Sequence, residues 1–304
     1  MLRTSCLILP IQLATVFFGL STAATAAEAT PAKTTPAKAE TTQVRWLDSY
    51  AEAMATAERR NKMLFVYFCD CCGESHCNRF KAETLNAPEV QSKLRDYVCV
   101  QLPLAAKIVS EGKKVALIEH EAFREMLGRP GIAIVDFRSS DAKLRGAVVS
   151  TFPLTETLWY TPEQMAVILD LPEGTLTQRT LIFAVRTHPE RPASTEGEKL
   201  PTLSEEAESH SRYQAQIRLQ GHHSWATRFR RLLALLPGGL APSEVCAESW
   251  PGQNLVEAAV ECVRCWRLSD GHWRAVCSHH RFFGYDMKRG DNGVWYATGV
   301  FGGE

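Results

Sequence analysis

The sequence predicts an α/β protein, and three observations support this fold class. Short apolar runs at 64–68 and 98–102 have the length and residue types of strands buried in a sheet. Segments with a helical period of apolar residues lie around those runs, so helices and strands alternate up to about residue 171. Beyond that point, several amphipathic helices precede two strands at 281–286 and 293–301, which indicates a second folded unit.

Composition limits the classes of function. The chain has 304 residues, enough for two domains, and 45% of them are hydrophobic. Lysine and arginine together number 34, and so do aspartate and glutamate. Because this balance provides no net positive field for polyanions, we expect no nucleic-acid partner.

The N-terminus has the pattern of a secretory signal peptide at residues 1–26. Arg3 is followed by an apolar stretch at 6–20 and by small residues at 24–26, which suit signal cleavage. The alternative is an uncleaved anchor, but the stretch is shorter than the roughly 20 residues of a membrane span. We therefore expect a secreted or periplasmic protein with no transmembrane segment after cleavage.

Residues 27–42 repeat alanine, threonine, proline and lysine. Such a segment cannot bury enough apolar surface to offset its chain entropy, so we predict a disordered linker. The first folded domain is then 43–171, and the second is 172–304. In the first domain, we predict helices at 46–60, 78–85, 88–97, 119–127 and from 162, and strands at 64–68, 98–102, 131–137 and 146–151.

Two motifs in residues 43–171 resemble those of exported thioredoxin-like proteins. Trp46-Leu-Asp-Ser-Tyr50-Ala-Glu-Ala53 precedes the first long strand, and Asn86-Ala-Pro88-Glu-Val90 follows the cysteine-rich turn. The resemblance implies a thioredoxin fold for nearly all of this domain. It also places Pro130 at the family's cis-proline, beside the active-site sulfurs; the alternative is an ordinary proline at the start of a strand.

The cysteine turn departs from the family pattern. The resemblance places Cys77 at the second, buried cysteine of Cys-x-x-Cys and Glu74 at the first, nucleophilic position. A glutamate cannot exchange thiols, although Cys72 could substitute if the loop folds back. Three interpretations stay open: a redox pair of Cys72 and Cys77, a structural disulfide, or a metal site that also uses Cys71 and His76.

The C-terminal half resembles a CAP domain, the SCP-like fold of cysteine-rich secretory proteins. Trp266-Arg-Leu-Ser269-Asp-Gly-His272 matches one family segment, and the terminal strands carry Trp295-Tyr and Phe301-Gly302. The resemblance implies a C-terminal CAP-like α/β/α sandwich. The predicted helices cover 176–186, 204–219, 225–236 and 255–266.

The same resemblance marks a cleft of two histidines and a carboxylate. His222, or the adjacent His223, matches the first histidine, Glu248 matches the glutamate, and His272 matches the second histidine. Imidazole and carboxylate groups can hold a divalent metal ion. A buried hydrogen-bond network and a catalytic role are the alternatives.

Nine of the ten cysteines lie beyond the signal peptide, so at least one has no intrachain disulfide partner. Cys99 lies in an apolar strand and is expected to be a buried free thiol. A disulfide from Cys246 or Cys265 to Cys277 is plausible near the cleft. Cys262 and Cys265 form a Cys-x-x-Cys inside a helix, without the helix N-terminus that makes such pairs reactive.

These features favour an exported binding or interaction protein with a degenerate thioredoxin active site. Its partners would be envelope or extracellular proteins or peptides. One alternative is a thiol–disulfide oxidoreductase that uses Cys72 and Cys77, which is the activity we expect if the protein is an enzyme. Another is metal-dependent ligand binding or hydrolysis in the CAP-like cleft.

Overall fold

A computed structural model describes residues 43–70, 75–110, 112–155 and 158–303. The predicted signal peptide, the predicted linker, and Cys71, Cys72 and Glu74 of the cysteine turn lie outside these residues. Within the described part of the chain, no helix has the length and apolar character that spanning a bilayer requires. Gln43 begins a single compact unit that includes both predicted domains.

The first half of the unit is built on a mixed five-stranded sheet. Its elements are β1 (Trp46–Leu47), α1 (Tyr50–Arg60), β2 (Leu64–Cys69), α2 (Ser75–Arg79), α3 (Pro88–Leu94), β3 (Val98–Pro103), β4 (Lys107–Ser110), β5 (Lys113–Ala116), β6 (Gly131–Val135), β7 (Val148–Pro153) and α4 (Pro162–Leu169). The strand order is β1-β3-β2-β6-β7, while β4 and β5 form a separate hairpin. Strands β1, β3 and β2 are parallel, and β6 and β7 are each antiparallel to their neighbours.

Two segments predicted as α-helices contain other helical types, a π-helix in one and 3-10 helices in the other. The helix after the cysteine turn begins as α2 and continues as a π-helical turn over Phe80–Leu85. The segment predicted as a helix at 119–127 consists of short 3-10 turns, Leu117–Glu119 and Glu121–Met126. The final helix α4 begins as predicted, because Thr161 and Gln164 form a reciprocal capping box.

The predicted cis bond at Pro130 is wrong, since the described residues contain no cis peptide bond. Pro130 lies directly before β6, and its carbonyl accepts a hydrogen bond of 2.7 Å from the Leu154 N–H. This bond extends the β6–β7 ladder by one step beyond Gly131. Pro130 is therefore an ordinary trans proline at the start of a strand, which is the alternative interpretation of the sequence.

The second half of the unit is a four-stranded sheet with helices on both faces. Its elements are α5 (Leu176–Arg186), β8 (Glu198–Lys199), α6 (Pro201–Ile217), α7 (Trp225–Leu235), β9 (Pro242–Glu248), α8 (Leu255–Arg267), α9 (Asp270–Cys277), β10 (Phe282–Arg289) and β11 (Trp295–Gly302). The strand order is β8-β10-β11-β9, so β9 forms one edge. Strand β9 and helix α9 have no counterpart among the predicted elements.

Alternate residues of β10 face different helices. Gly284 lies against the backbone of α6, and Ser211 of α6 donates a hydrogen bond to the Asp286 carbonyl. Phe283 and Tyr285 point to the other face, into a core shared with α5 and α8. The sheet is therefore a middle layer between helices.

Helix α5 joins the two sheets. Phe183 of α5 contacts Phe152 of β7, with ring centroids 4.7 Å apart. On the same helix, Arg179 is fully buried and donates to the Ser150 hydroxyl and the Leu171 carbonyl. Burial lowers the pKa of this guanidinium to about 10. The two halves thus share one hydrophobic core, and the buried hydrogen bonds of Arg179 also connect them.

Candidate functional site

A histidine from a loop and a histidine from a helix meet beside the edge strand β9. His222 belongs to the segment between α6 and α7, and His272 belongs to the first turn of α9. Their Nε2 atoms are 3.1 Å apart, and their ring centroids are 5.3 Å apart. The His222 side chain is 41% exposed, so the pair is open to solvent.

The carboxylate beside this pair is Glu244, which the sequence analysis missed. Glu244 Oε1 lies 2.9 Å from Nδ1 of His222, and the Glu244 side chain is only 1% exposed. Glu248, the glutamate predicted for this cleft, is exposed, and among the described residues the hydrogen-bond and ion-pair partners of the two histidines do not include it. Both glutamates lie on one face of β9, but four residues separate them by about 13 Å.

Alternation along β9 was the signal for this carboxylate. Glu244, Cys246 and Glu248 alternate with Val245 and Ala247, which face the apolar core. Once 242–248 is recognised as a strand, the period of two places the three polar side chains on the opposite face. The sequence alone does not say which of the two glutamates reaches His222.

Arg228 of α7 holds both oxygens of Glu244. Its Nη2 lies 2.9 Å from Oε1, and its Nη1 contacts Oε2. Nη1 also lies 3.2 Å from Oε1 of Glu206, which Arg231 contacts as well. Burial alone would raise the pKa of Glu244, but the hydrogen bonds from His222 and Arg228 outweigh it and lower that pKa.

The hydrogen-bond partners fix which nitrogen of each ring carries a proton. A carboxylate accepts only, so a neutral His222 carries its proton on Nδ1 and presents the lone pair of Nε2 to His272. Burial, and then the neighbouring His222, lowers the pKa of His272, which favours its neutral form. Of the two facing Nε2 atoms, that of His272 therefore carries the shared proton, and an electrophile that displaces this proton would meet one lone pair on each ring.

A second group of potential ligands lies behind the histidine pair. Donor atoms of His210, Glu244 and Cys246 all lie within 4.8 Å of one another. However, Arg228 Nη2 lies 3.2 Å from Nε2 of His210, whose ring also bonds to the Gly221 carbonyl. A guanidinium in this position excludes a cation, so the buried group is a closed polar network.

The cysteine turn lies in the first half, at the end of β2. Cys77, in the first turn of α2, is 5% exposed, and its Sγ lies 3.4 Å from the Asp70 N–H donor. The Tyr67 hydroxyl donates to the Cys77 carbonyl at 3.0 Å. Phe68 pairs with Gly131 across β2 and β6, which brings Pro130 next to the start of this turn.

Cys69 has polar neighbours that the sequence analysis did not identify. Gln101 Nε2 approaches Cys69 Sγ at 3.3 Å, and Lys81 Nζ donates to Gln101 Oε1 at 2.9 Å. These contacts join β2, β3 and the π-helical turn behind the cysteine turn. Gln101 is a polar residue in an otherwise apolar strand, and this exception in the sequence could have indicated a polar contact at this position.

Comparison with known proteins assigns one segment of the chain to a family. Residues 45–135 match a family model described as thioredoxin-like. The chain contains a thioredoxin-like domain. The match ends before α4, and a search of curated proteins found no relative of the chain. The CAP resemblance of residues 172–304 stays a prediction.

The thioredoxin-like domain and the C-terminal half both contain free thiols. Cys77 and Cys99 are free thiols in the thioredoxin-like domain, and Cys246, Cys262, Cys265 and Cys277 are free thiols in the C-terminal half. The predicted disulfide from Cys246 or Cys265 to Cys277 is therefore wrong: Cys246 is buried beside His222, while Cys277 ends α9 at the surface. Burial raises the pKa of Cys99 to about 12 and keeps that thiol protonated, as expected for a buried strand residue.

Proposed function

We propose that this protein is an exported binding protein whose C-terminal cleft holds a divalent metal ion between His222 and His272. The observation that carries the proposal is the convergence of two Nε2 atoms to 3.1 Å, with the other nitrogen of His222 on a buried carboxylate. The secretory pattern of residues 1–26 supports export to the periplasm or the cell exterior.

The donor set fits an ion of the zinc class. Two imidazole nitrogens on one tetrahedral zinc ion lie about 3.4 Å apart, since each Zn–N bond is about 2.0–2.1 Å. The pair needs only a small separation to reach that spacing. In metal sites, a carboxylate often accepts a hydrogen bond from the second ring nitrogen of a histidine ligand, which orients the ring and raises its basicity. Glu244 makes this contact with His222.

Two protein ligands leave two positions of a tetrahedral ion for other oxygen or nitrogen donors. Peptide carbonyls and carboxylates supply such donors. Envelope or extracellular proteins or peptides are therefore the ligands that the proposed site suits. A bound metal would supply Lewis acidity at this point.

Replacing either histidine tests the proposal. Wild-type protein is expected to bind one zinc ion per chain in calorimetry, and His222→Ala or His272→Ala to weaken binding by about 100-fold or more. His279→Ala is the matched control, because His279 is an exposed histidine just beyond α9. Equal zinc binding by the wild type and the double variant His222→Ala, His272→Ala would contradict the proposal.

The surroundings of Cys77 favour a second function, thiol–disulfide exchange by the thioredoxin-like domain with Cys72 as the partner. Cys77 is buried at the start of a helix, and a backbone N–H points at its sulfur. An N–H donor and a helix N-terminus both stabilise a thiolate. The Cys72 thiolate would attack a substrate disulfide, displace one substrate thiolate and form a mixed disulfide. Cys77 would then attack Cys72 Sγ, which releases the second substrate thiol, reduces the substrate and leaves a Cys72–Cys77 disulfide.

Insulin reduction measures this second function directly. The wild type is expected to turn over insulin disulfides with dithiothreitol as reductant, and Cys77→Ser to abolish turnover. Incubated with insulin in the absence of dithiothreitol, Cys77→Ser is expected to trap a mixed disulfide at Cys72. Cys277→Ser, which removes an exposed thiol of the C-terminal half, should leave the rate unchanged. A wild type without turnover would leave metal-dependent binding as the proposed function.

A further inference from the structure

We infer that Arg228 is the positioning residue of the histidine pair, because it fixes through Glu244 which ring nitrogen His222 presents. The inference rests on the proposed function only in its effect on metal affinity. Arg228 touches neither proposed ligand ring through a hydrogen bond of its own. It acts on the carboxylate and on the backbone that place His222.

The carboxylate of Glu244 is immobilised by a two-point contact. Nη1 of Arg228 reaches Oε2, and Nη2 reaches Oε1 at 2.9 Å. The side chains of Arg228 and Glu244 are 11% and 1% exposed, so water competes little for these bonds. A carboxylate held at both oxygens cannot rotate, and its Oε1 stays 2.9 Å from Nδ1 of His222.

The same guanidinium holds the segment that carries His222. Arg228 Nε donates to the His223 carbonyl at 3.0 Å, one residue along the chain. One rigid planar group therefore fixes both ends of the His222–Glu244 bond. Glu206 of α6 accepts a second hydrogen bond from Nη1 of Arg228, and the Trp225 ring lies 5.2 Å from the guanidinium carbon.

The consequence concerns the tautomer of His222. A neutral imidazole carries one proton, and a fixed acceptor at Nδ1 keeps that proton away from Nε2. Nε2 is the nitrogen that faces His272. Without the two-point contact from Arg228, Glu244 can turn and the Nε2–H tautomer of His222 becomes populated. In that tautomer the lone pair is on Nδ1, so Nε2 has none for a metal ion.

Arg228→Lys separates positioning from charge. Lysine keeps the positive charge but has a single ammonium that cannot form the planar two-point contact. Arg231→Lys is the matched control, since Arg231 also contacts Glu206 but is 57% exposed and has no contact with Glu244 among its ion pairs. Two readouts are compared: the ring tautomer of His222 in metal-free protein, from long-range ¹H–¹⁵N spectra, and the zinc affinity from calorimetry.

In the wild type and in Arg231→Lys, His222 is expected to show the Nδ1–H tautomer. In Arg228→Lys, a mixture of tautomers and a loss of zinc affinity of about 10–100-fold are expected, the range for removing support behind a metal ligand. An unchanged tautomer together with unchanged affinity would overturn the positioning role. A wild type that binds no zinc refutes the proposed function, while the tautomer readout still decides this inference.

A second variant decides the matter if Arg228→Lys does not fold. Glu206→Ala removes the anchor of Arg228 and leaves both Arg228 and Glu244 in the chain. It should move both readouts in the same direction by a smaller factor. In that case, wild-type tautomer and affinity in Glu206→Ala would overturn the inference.

Discussion

Glu244→Ala is expected to lower the free energy of unfolding by about 3–5 kcal/mol, the cost of breaking a buried ion pair by removing one partner. Arg228 would keep Glu206 but lose both bonds to Glu244, in a place where water cannot replace them. Urea denaturation measures the change. Glu248→Ala, an exposed glutamate on the same strand, should stay within about 0.5 kcal/mol of the wild type. Similar losses in both variants would contradict a buried Glu244–Arg228 pair.

The same carboxylate gives the unfolding energy a defined pH dependence. The folded-state pKa of Glu244 is lowered, because hydrogen bonds from His222 and Arg228 outweigh burial. Its stabilisation is therefore complete above the ordinary value of 4.5 and is lost as the pH falls through the lowered folded value. Between pH 5 and the acid range, the wild type should lose more stability than Glu244→Gln. Parallel pH profiles for these two proteins would contradict the lowered pKa.

The sequence predicted the thioredoxin-like domain well because its core strands are almost entirely apolar, with Gln101 of β3 as a polar exception. Strands β2, β3 and β6 are buried in the sheet, and such strands need no tertiary context to be recognised. Strand β9 escaped because one of its faces carries Glu244 and Cys246 toward a polar network instead of an apolar core. Charged residues alternate with apolar ones along β9, and such a short polar-rich segment resembles a surface loop in the sequence.

The candidate site could be predicted only as a set of residue types. Family resemblance selected His222 and His272, and the structure brings their rings together. Which glutamate contacts His222 depends on the point along β9 where the segment between α6 and α7 packs against the strand. That point is set by the folded sheet and helices together, so it cannot be read from the local sequence. Arg228 lies six residues after His222 and resembled any basic residue on an amphipathic helix, because its importance comes from Glu206 and Glu244 on other elements.

Gly284→Ala should lower the free energy of unfolding by about 3 kcal/mol or more, since its added methyl group meets backbone that cannot give way. The new Cβ would lie 2.3 Å from the Leu203 carbonyl carbon and from the Ser204 nitrogen, both in α6. To remove this clash, α6 must move away from β10. Helix α6 also carries Glu206, which anchors Arg228. If the proposed site binds zinc, its zinc affinity should therefore fall together with the free energy of unfolding. Gly271→Ala is the control, because its Cβ would meet nothing within 4 Å and alanine favours the helix α9. Equal unfolding energies for the two variants would mean that α6 does not contact the sheet this closely.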